Sequence, residues 1–195
     1  MLQTATSVSE PGCRELIAAL DGAVRYSVGP EARTRAVRDA LTDLIHRHAV
    51  QLPAALMRPA PDSYARRLIY ANPTLGYTAL AMVWGPGQGT PLHDHAGLWC
   101  VEGVLQGRIE VTQYDLLERS GSQCRFERQG TEIAGVGSAG RLIPPFDYHT
   151  LANALVSESS VTIHVYGGDM DHCSVYLPVG EGWYEEVSRE LKLSA

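Results

Sequence analysis

GQGTPLHDHAGLWCVEGVLQG, residues 87–107, is the stretch whose reading decides the fold. At its centre stands His93-Asp94-His95. Gly-Pro-Gly before it and Leu-Gln-Gly at its end are turn signals, and the apolar residues between them indicate strands. On a strand, residues i and i+2 share a face. His93 and His95 therefore point the same way and could hold one metal ion through neutral ring nitrogens. Taken alone, an HxH reads equally well as a solvated or packed pair.

Around this stretch, the 195 residues allow one domain with a substantial core, or one domain with a short helical annex. The formal net charge is -6 and no Lys/Arg run occurs, which argues against nucleic acid or an anionic membrane as a main partner. No apolar run approaches the length that spans a bilayer. The opening MLQTATSVSEPGCRE lacks a charged-then-apolar leader, so the expected location is the cytoplasm. Cys13, Cys100, Cys124 and Cys173 show no CxxC spacing. They are expected as free thiols in a reducing compartment, with Cys13 and Cys124 simply packed.

Residues 1–10 are polar and read as a loose segment. Leu16, Ile17, Leu20 and Val24 then form a helical stripe, and Val37, Leu41, Leu44 and Ile45 form a second one after Gly29-Pro30. His46 and His48 stand two residues apart on that helix and point about 200° apart, too divergent to chelate together. Pro53 to Pro61 is a proline-bearing connection, after which the period changes from 3.6 to 2. Strands are expected over 64–70 and 77–84, and near 98–105, 108–117, 122–128, 131–136, 149–155, 159–166 and 173–177. Short strands punctuated by Gly, Pro, Asn and Asp indicate an all-β sandwich or barrel. The expected layout is an N-terminal helical annex over 1–60 packed on a β domain over 61–195.

The glycine frame of the opening stretch resembles the first motif of the cupin superfamily, with Gly87, His93, His95 and Gly107 at the motif positions. The motif's usual Glu position holds Cys100. RLIPPFDYHTLAN, residues 141–153, partly matches the second motif through Pro144, His149 and Asn153, with Phe146 where a Gly is usual. The resemblance implies a mainly β, cupin-type jelly-roll barrel after short N-terminal helices, with His149 as third ligand. Three imidazoles without a carboxylate leave the metal's charge and open positions to an anionic ligand, and do not choose between Fe, Ni, Cu and Zn. Glu102 shares the strand face of Cys100, but its spacing from His95 exceeds the motif's. It is therefore left outside the expected ligand set.

Thr162, His164 and Tyr166 alternate in SVTIHVY, residues 160–166, and share one strand face. Together with His93, His95, His149, Cys100, Trp84-Gly85 and Tyr64-x-Arg66-x-Leu68, they make the chain resemble the cysteine dioxygenase family from about Tyr64 to Cys173. Trp99, and Gly167-Gly168 after Tyr166, depart from the animal members, which have a His and a Ser-Pro turn there. Relatives that oxidise 3-mercaptopropionate often have Gly and Gln where this chain has Cys100 and Arg66.

What the resemblance implies is an Fe(II)-dependent thiol dioxygenase that converts L-cysteine and O2 to cysteine sulfinate. His93, His95 and His149 would hold the iron, and Arg66 with Tyr64 would bind the substrate. Tyr166, His164 and Cys100 would serve catalysis, with Cys100 joined to Tyr166 by a thioether. Arg67 lies on the opposite strand face from Arg66. A dioxygenase for 3-mercaptopropionate or mercaptosuccinate is the neighbouring reading. A non-enzymatic cupin that binds a metal or small ligand is the third. A monomer or small homo-oligomer is expected.

Overall fold

The computed structural model describes residues 10–194, so the reading of the first nine residues lies outside the described part. Two helices open it, α1 (Pro11–Arg25) and α2 (Gly29–His46), each with a proline in its first turn, where no backbone N–H is needed. A 3-10 turn at Ala54–Met57 leads into the strands, eleven among the described residues. These are β1 (Ala65–Asn72), β2 (Tyr77–Trp84), β3 (Leu92–His93), β4 (Cys100–Gln106), β5 (Arg108–Ser120) and β6 (Gln123–Gly135). They continue with β7 (Ala139–Leu142), β8 (His149–Asn153), β9 (Ser160–Tyr166), β10 (His172–Gly180) and β11 (Trp183–Glu190). The mainly β, cupin-type architecture with helices at its start is the one expected from sequence. Among the described residues no helix is long and apolar enough to cross a membrane.

Two sheets face each other. One has the order β1-β2-β9-β4-β7, and the other closes on itself as β10-β11-β6-β5-β8-β3. In the five-stranded sheet, β2 and β9 are buried along their whole length, because both faces are covered. The outer face belongs to the helices. Leu16, Leu20, Val37, Leu41 and Ile45 pack with Ile69, Ala79, Ala81, Val101, Ile163 and Val165 in one core cluster. The alternate residues of β2, β4 and β9 face the other sheet, and the candidate site lies there. Alternation on β9 thus sorts Ile163 and Val165 to the helices and Thr162, His164 and Tyr166 to the interior.

The structure amends the sequence reading in places. The segments expected at 122–128 and 131–136 are one strand, β6, because a register shift between Gln113 and Tyr114 on β5 lets Gln129 be passed over without breaking the ladder. Strands β7 and β11 are absent from the sequence reading, and the strand expected through His93 and His95 ends at His93, which leaves His95 in the loop that follows. β7 has four residues, too few for a period-2 pattern, and β11 carries acidic residues where apolar ones were sought. His48 lies beyond the end of α2 with a positive φ of 54°, so the two histidines diverge for a further reason.

Gly107, the last residue of the opening motif, has φ 77°, and a Cβ there would collide with Ser160. That closeness is used. Ser160 Oγ accepts from Arg108 N–H at 2.9 Å and stands 2.8 Å from Asn153 Oδ1. Asn153 in turn donates to the carbonyls of Trp84 and Glu158. The motif residues Gly107 and Asn153 therefore staple the two sheets together beside the site.

Leu41 is fully buried at the seam between α2 and the sheet. Leu41→Ala should lower unfolding free energy by about 2–5 kcal/mol, the cost of a lost buried leucine and its cavity. Urea titration measures it. A loss under about 1 kcal/mol would mean the helices do not seal this face.

Candidate metal centre

Three imidazoles converge from the closed sheet and the loop beyond β3. His93 on β3 pairs directly with His149 on β8, which brings the two ring centroids to 4.6 Å. The His95 ring lies 5.1 Å from that of His149. Each ring has its Nδ1 engaged by an oxygen. His93 Nδ1 is 3.1 Å from Pro91 O, His95 Nδ1 is 3.0 Å from Asp147 Oδ2, and His149 Nδ1 is 3.1 Å from Asp147 O. Asp147 Oδ2 also accepts the His95 backbone N–H at 3.1 Å. With Nδ1 as donor, the neutral ring presents a bare Nε2.

The Nε2 atoms of His95 and His149 are buried without a hydrogen-bond partner among the described residues. Buried polar atoms left unpaired are rare and costly. One ligand atom from each of the three histidines lies within 4.8 Å of the others, so the residues fit a single transition-metal ion.

Burial opposes charge on His95, but the hydrogen bond to Asp147 and the nearby Glu102 carboxylate outweigh it and push its pKa up to about 9. A bound cation would take the place of that proton. His93 goes the other way, held well below its ordinary value by burial and then by the neighbouring His149 and His95.

The five-stranded sheet supplies the facing wall. Cys100 on β4 is the direct cross-strand partner of Tyr166 on β9, and Glu102 is the partner of His164. Trp84 Nε1 donates to Thr162 Oγ1 at 2.9 Å, Thr162 Oγ1 lies 2.8 Å from His164 Nε2, and His164 Nδ1 lies 3.1 Å from Tyr166 Oη. Indole can only donate, so the row runs from Trp84 through Thr162 to His164 Nε2. In its neutral form His164 then carries its proton on Nδ1, and Tyr166 keeps its own O–H to donate. Burial raises the Tyr166 phenol and the Cys100 thiol well above their ordinary pKa values, and the nearby Glu102 adds to both. Both are protonated at neutral pH.

Arg66 on β1 is buried, and its Nη2 donates to Met170 O at 2.7 Å. Arg67 takes the other strand face, where its Nε and Nη2 reach Arg58 O at 3.0 and 2.9 Å. Tyr64 stacks on Trp84 with ring centroids 4.7 Å apart. Arg66, Tyr64, Tyr166, His164 and His93 border one cavity of about 20 Å³, space for about one water. A larger, mainly apolar cavity of about 700 Å³ adjoins it and shares Arg66, Met170 and Leu191 as wall. The Gly167-Gly168 departure lies on the same side. A Cβ on Gly167 would collide with the Trp99 indole, so Trp99 and Gly167 come as a pair.

One carboxylate, Asp147, is absent from the sequence reading, and a second, Glu102, appears there only outside the ligand set. Asp147 precedes His149 by two residues, and an Asp-x-His was the signal available for it. Glu102 was set aside on spacing, yet its Oε1 lies 3.1 Å from His164 Nδ1, 3.5 Å from His149 Nε2 and 3.8 Å from His95 Nε2. Spacing counts positions along the strand, whereas the longer Glu side chain leans back toward the cluster. Burial works against its charge, but the His149 and His164 rings hold its pKa well below the usual carboxylate range.

A family model described as cysteine dioxygenase type I matches residues 54–177. Cysteine dioxygenase type 1 of Danio rerio is 23% identical to this chain over 100 residues, covering 51% of the chain and 49% of the relative. The Rattus norvegicus protein of the same name is 24% identical over the same shares. The chain thus spans about half the length of the curated relatives it matches. Among solved structures, an uncharacterized conserved protein with a double-stranded beta-helix domain from Klebsiella pneumoniae is similar at a TM-score of 0.47 and 16% identity. That match covers 60% of this chain and 88% of that one. The Cnp3 cupin domain of Schizosaccharomyces pombe is similar at 0.45 and 14%, covering 62% and 74%.

Asp147 orients two of the three rings. Asp147→Ala should weaken divalent-metal affinity about 10–100-fold, measured by competition with a chelating dye. His149→Ala should abolish measurable retention of the ion. Unchanged affinity in Asp147→Ala would mean the rings hold their orientation without it.

Proposed function

The chain belongs to the cysteine dioxygenase type I family, and on that premise we propose that it is an Fe(II)-dependent thiol dioxygenase acting on L-cysteine. The observation that carries the reading is one juxtaposition. The three-imidazole cluster, with the unpartnered Nε2 atoms of His95 and His149, sits beside the row Trp84–Thr162–His164–Tyr166, and His93, His164, Tyr166 and Arg66 border one pocket. A metal-binding module without chemistry has no use for a phenol oriented in this way.

Iron held by His93, His95 and His149 would supply coordination of the thiolate and activation of O2. The overall change is balanced without a further reductant, since RSH and O2 give RSO2H and both oxygen atoms go to sulfur. Arg66 would hold the substrate carboxylate by charge-assisted hydrogen bonds. Tyr166 would donate its O–H toward the reacting oxygen and sulfur, with His164 fixing the phenol from behind. Tyr64, stacked on Trp84, would flank the carboxylate. Substrate would enter past Met170 and Leu191, which separate the small pocket from the larger cavity.

A thioether between Cys100 and Tyr166 would replace one S–H and one ring C–H by a C–S bond, with O2 accepting the two hydrogens. Their direct cross-strand pairing supports it. The link would immobilise the ring rather than create the site.

One observation favours a second substrate. Arg189 borders the same pocket as Arg66, and two guanidinium groups suit a dicarboxylate thiol such as mercaptosuccinate. Reconstitution with Fe(II) under nitrogen, then oxygen uptake with L-cysteine, 3-mercaptopropionate and mercaptosuccinate, tests the proposal. Uptake matched by sulfinate formation is expected, and no thiol-dependent uptake would overturn it. Arg189→Ala should impair mercaptosuccinate alone.

Truncating one partner of a buried carboxylate–guanidinium pair costs about 2–5 kcal/mol, so Arg66→Ala should lower kcat/KM roughly 30- to 4,000-fold. Arg67→Ala, on the outer face, should do far less. Equal damage from both would mean that neither arginine meets the substrate. After turnover, mass spectrometry of tryptic peptides should find a fraction of Cys100 and Tyr166 joined with loss of two hydrogens. Cys100→Ala should slow turnover moderately without abolishing it, and complete loss would give Cys100 a larger part than fixing the ring.

A further inference from the structure

The pocket bordered by His93, Tyr166 and Arg66 measures about 20 Å³, space for about one water. It admits the sulfur end of a thiol acid and little else. The adjoining cavity of about 700 Å³ has the size of a small-molecule site, about 300–1,000 Å³. Arg66, Met170 and Leu191 border both.

Arg66 decides which end of a ligand meets the larger cavity. It is buried, and its Nη2 donates to a neutral group, Met170 O. Among the described residues no carboxylate forms an ion pair with it. A buried cation without a counter-charge is unfavourable, so the position calls for an anion. In a thiol acid that anion is the carboxylate, and the carbon bearing it stands where the two cavities meet.

The larger cavity is apolar on nearly every side. Leu68, Leu80, Leu191, Leu193 and the rings of Tyr70 and Tyr77 border it. The polar groups of its inner wall are already engaged. Tyr77 Oη and Asn72 Nδ2 both donate to Asp21 Oδ1, at 2.6 and 2.8 Å, and Asn72 Oδ1 accepts the N–H groups of Thr74 and Leu75. Apart from Arg66, its charged residues are the exposed Asp169 and Asp171. The segment after β11 is tied down as one wall. Leu191 N–H donates to Asp171 O and Ser194 N–H to Arg66 O, each at 2.7 Å, and Arg66 N–H donates to Ser194 Oγ at 3.0 Å.

From this arrangement we infer that the substrate pocket continues through the larger cavity, and that the protein takes thiol acids whose carboxylate-bearing carbon carries an uncharged apolar group. Cysteines acylated on nitrogen by an aliphatic chain are that class. Their thiol and carboxylate are those of cysteine, and the acyl chain fills the larger cavity. The inference deepens the proposed function and rests on its assignment of Arg66 to the substrate carboxylate. Oxidation balances as before, since RSH and O2 give RSO2H and the amide is untouched. A chain that ends in a second carboxylate is excluded, because its charge would lie among apolar walls beside Asp169 and Asp171.

The test measures binding of N-acetyl-, N-butanoyl- and N-hexanoyl-L-cysteine to the iron-loaded protein under nitrogen, by calorimetry. Each buried methylene adds about two- to fourfold in affinity. N-hexanoyl-L-cysteine should therefore bind about 15- to 250-fold more tightly than the N-acetyl compound. Affinity that stays flat or falls along the series overturns the inference. N-succinyl-L-cysteine matches the butanoyl compound in chain length but ends in a carboxylate, and should bind at least about tenfold more weakly. Equal binding of the two would place the chain in solvent and overturn the inference as well. Ala71 borders the larger cavity and not the smaller. In Ala71→Trp the gain along the series should shrink to under about threefold, with L-cysteine affinity and melting temperature of the same variant as reference. A gain that survives there puts the chain elsewhere, and if the variant does not fold, the wild-type series and the succinyl control still decide. Oxygen uptake keeps the two claims apart. Uptake with L-cysteine and no chain-length gain overturns the inference and leaves the dioxygenase reading standing. A chain-length gain without uptake for any thiol does the reverse. Uptake with L-cysteine but with none of the N-acyl series overturns the substrate class.

Discussion

Everything at the centre of this protein depends on keeping imidazole Nε2 atoms bare inside a packed β-structure. Ring nitrogens in a dry interior normally find partners, and leaving them without one is unfavourable. The chain tolerates this by occupying the opposite nitrogen of every ring with a fixed oxygen from Pro91 or Asp147. Asp147 serves two histidines, one through its carboxylate and one through its carbonyl. Rotating either ring to relieve an orphaned nitrogen would break a buried bond, so the cluster stays aimed inward.

The two-sheet architecture turns that constraint into a site. The closed sheet and its loop carry the histidines, and the five-stranded sheet carries Cys100, Glu102, Thr162, His164 and Tyr166. Strand β9 must be buried on both faces for this to work. Its outer residues Ile163 and Val165 meet the helices, and only then can Thr162, His164 and Tyr166 sit in a dry interior. The helices contribute no residue to the chemistry, but they supply the apolar cover that allows polar groups on the other side. Burial then sets the ionisation pattern, with a neutral phenol and thiol beside an ionised Glu102.

Much of this was legible before any coordinates. The HxH, the glycines around it and the alternation of SVTIHVY are short-range patterns; the alternation survives because a strand has a fixed period of two, whereas His95 lies past the end of β3 and meets His93 through the loop. Arg66 and Arg67 could be assigned to opposite faces by that same period. Asp147 and Glu102 were less legible because their partners are set through space. Asp147 reaches His95 across a separation of 52 residues, and Glu102 reaches back along its strand by the length of its side chain. Strand β7 is not legible because pairing with β4, not its own sequence, makes it a strand.

The proposed reaction delivers molecular oxygen to a thiol sulfur. Turnover under isotopically heavy O2 in ordinary water, with mass analysis of the product, addresses that claim most directly. Both oxygen atoms of the sulfinate should carry the label, and none should come from water. A product labelled from water, or a disulfide in place of a sulfinate, would contradict it.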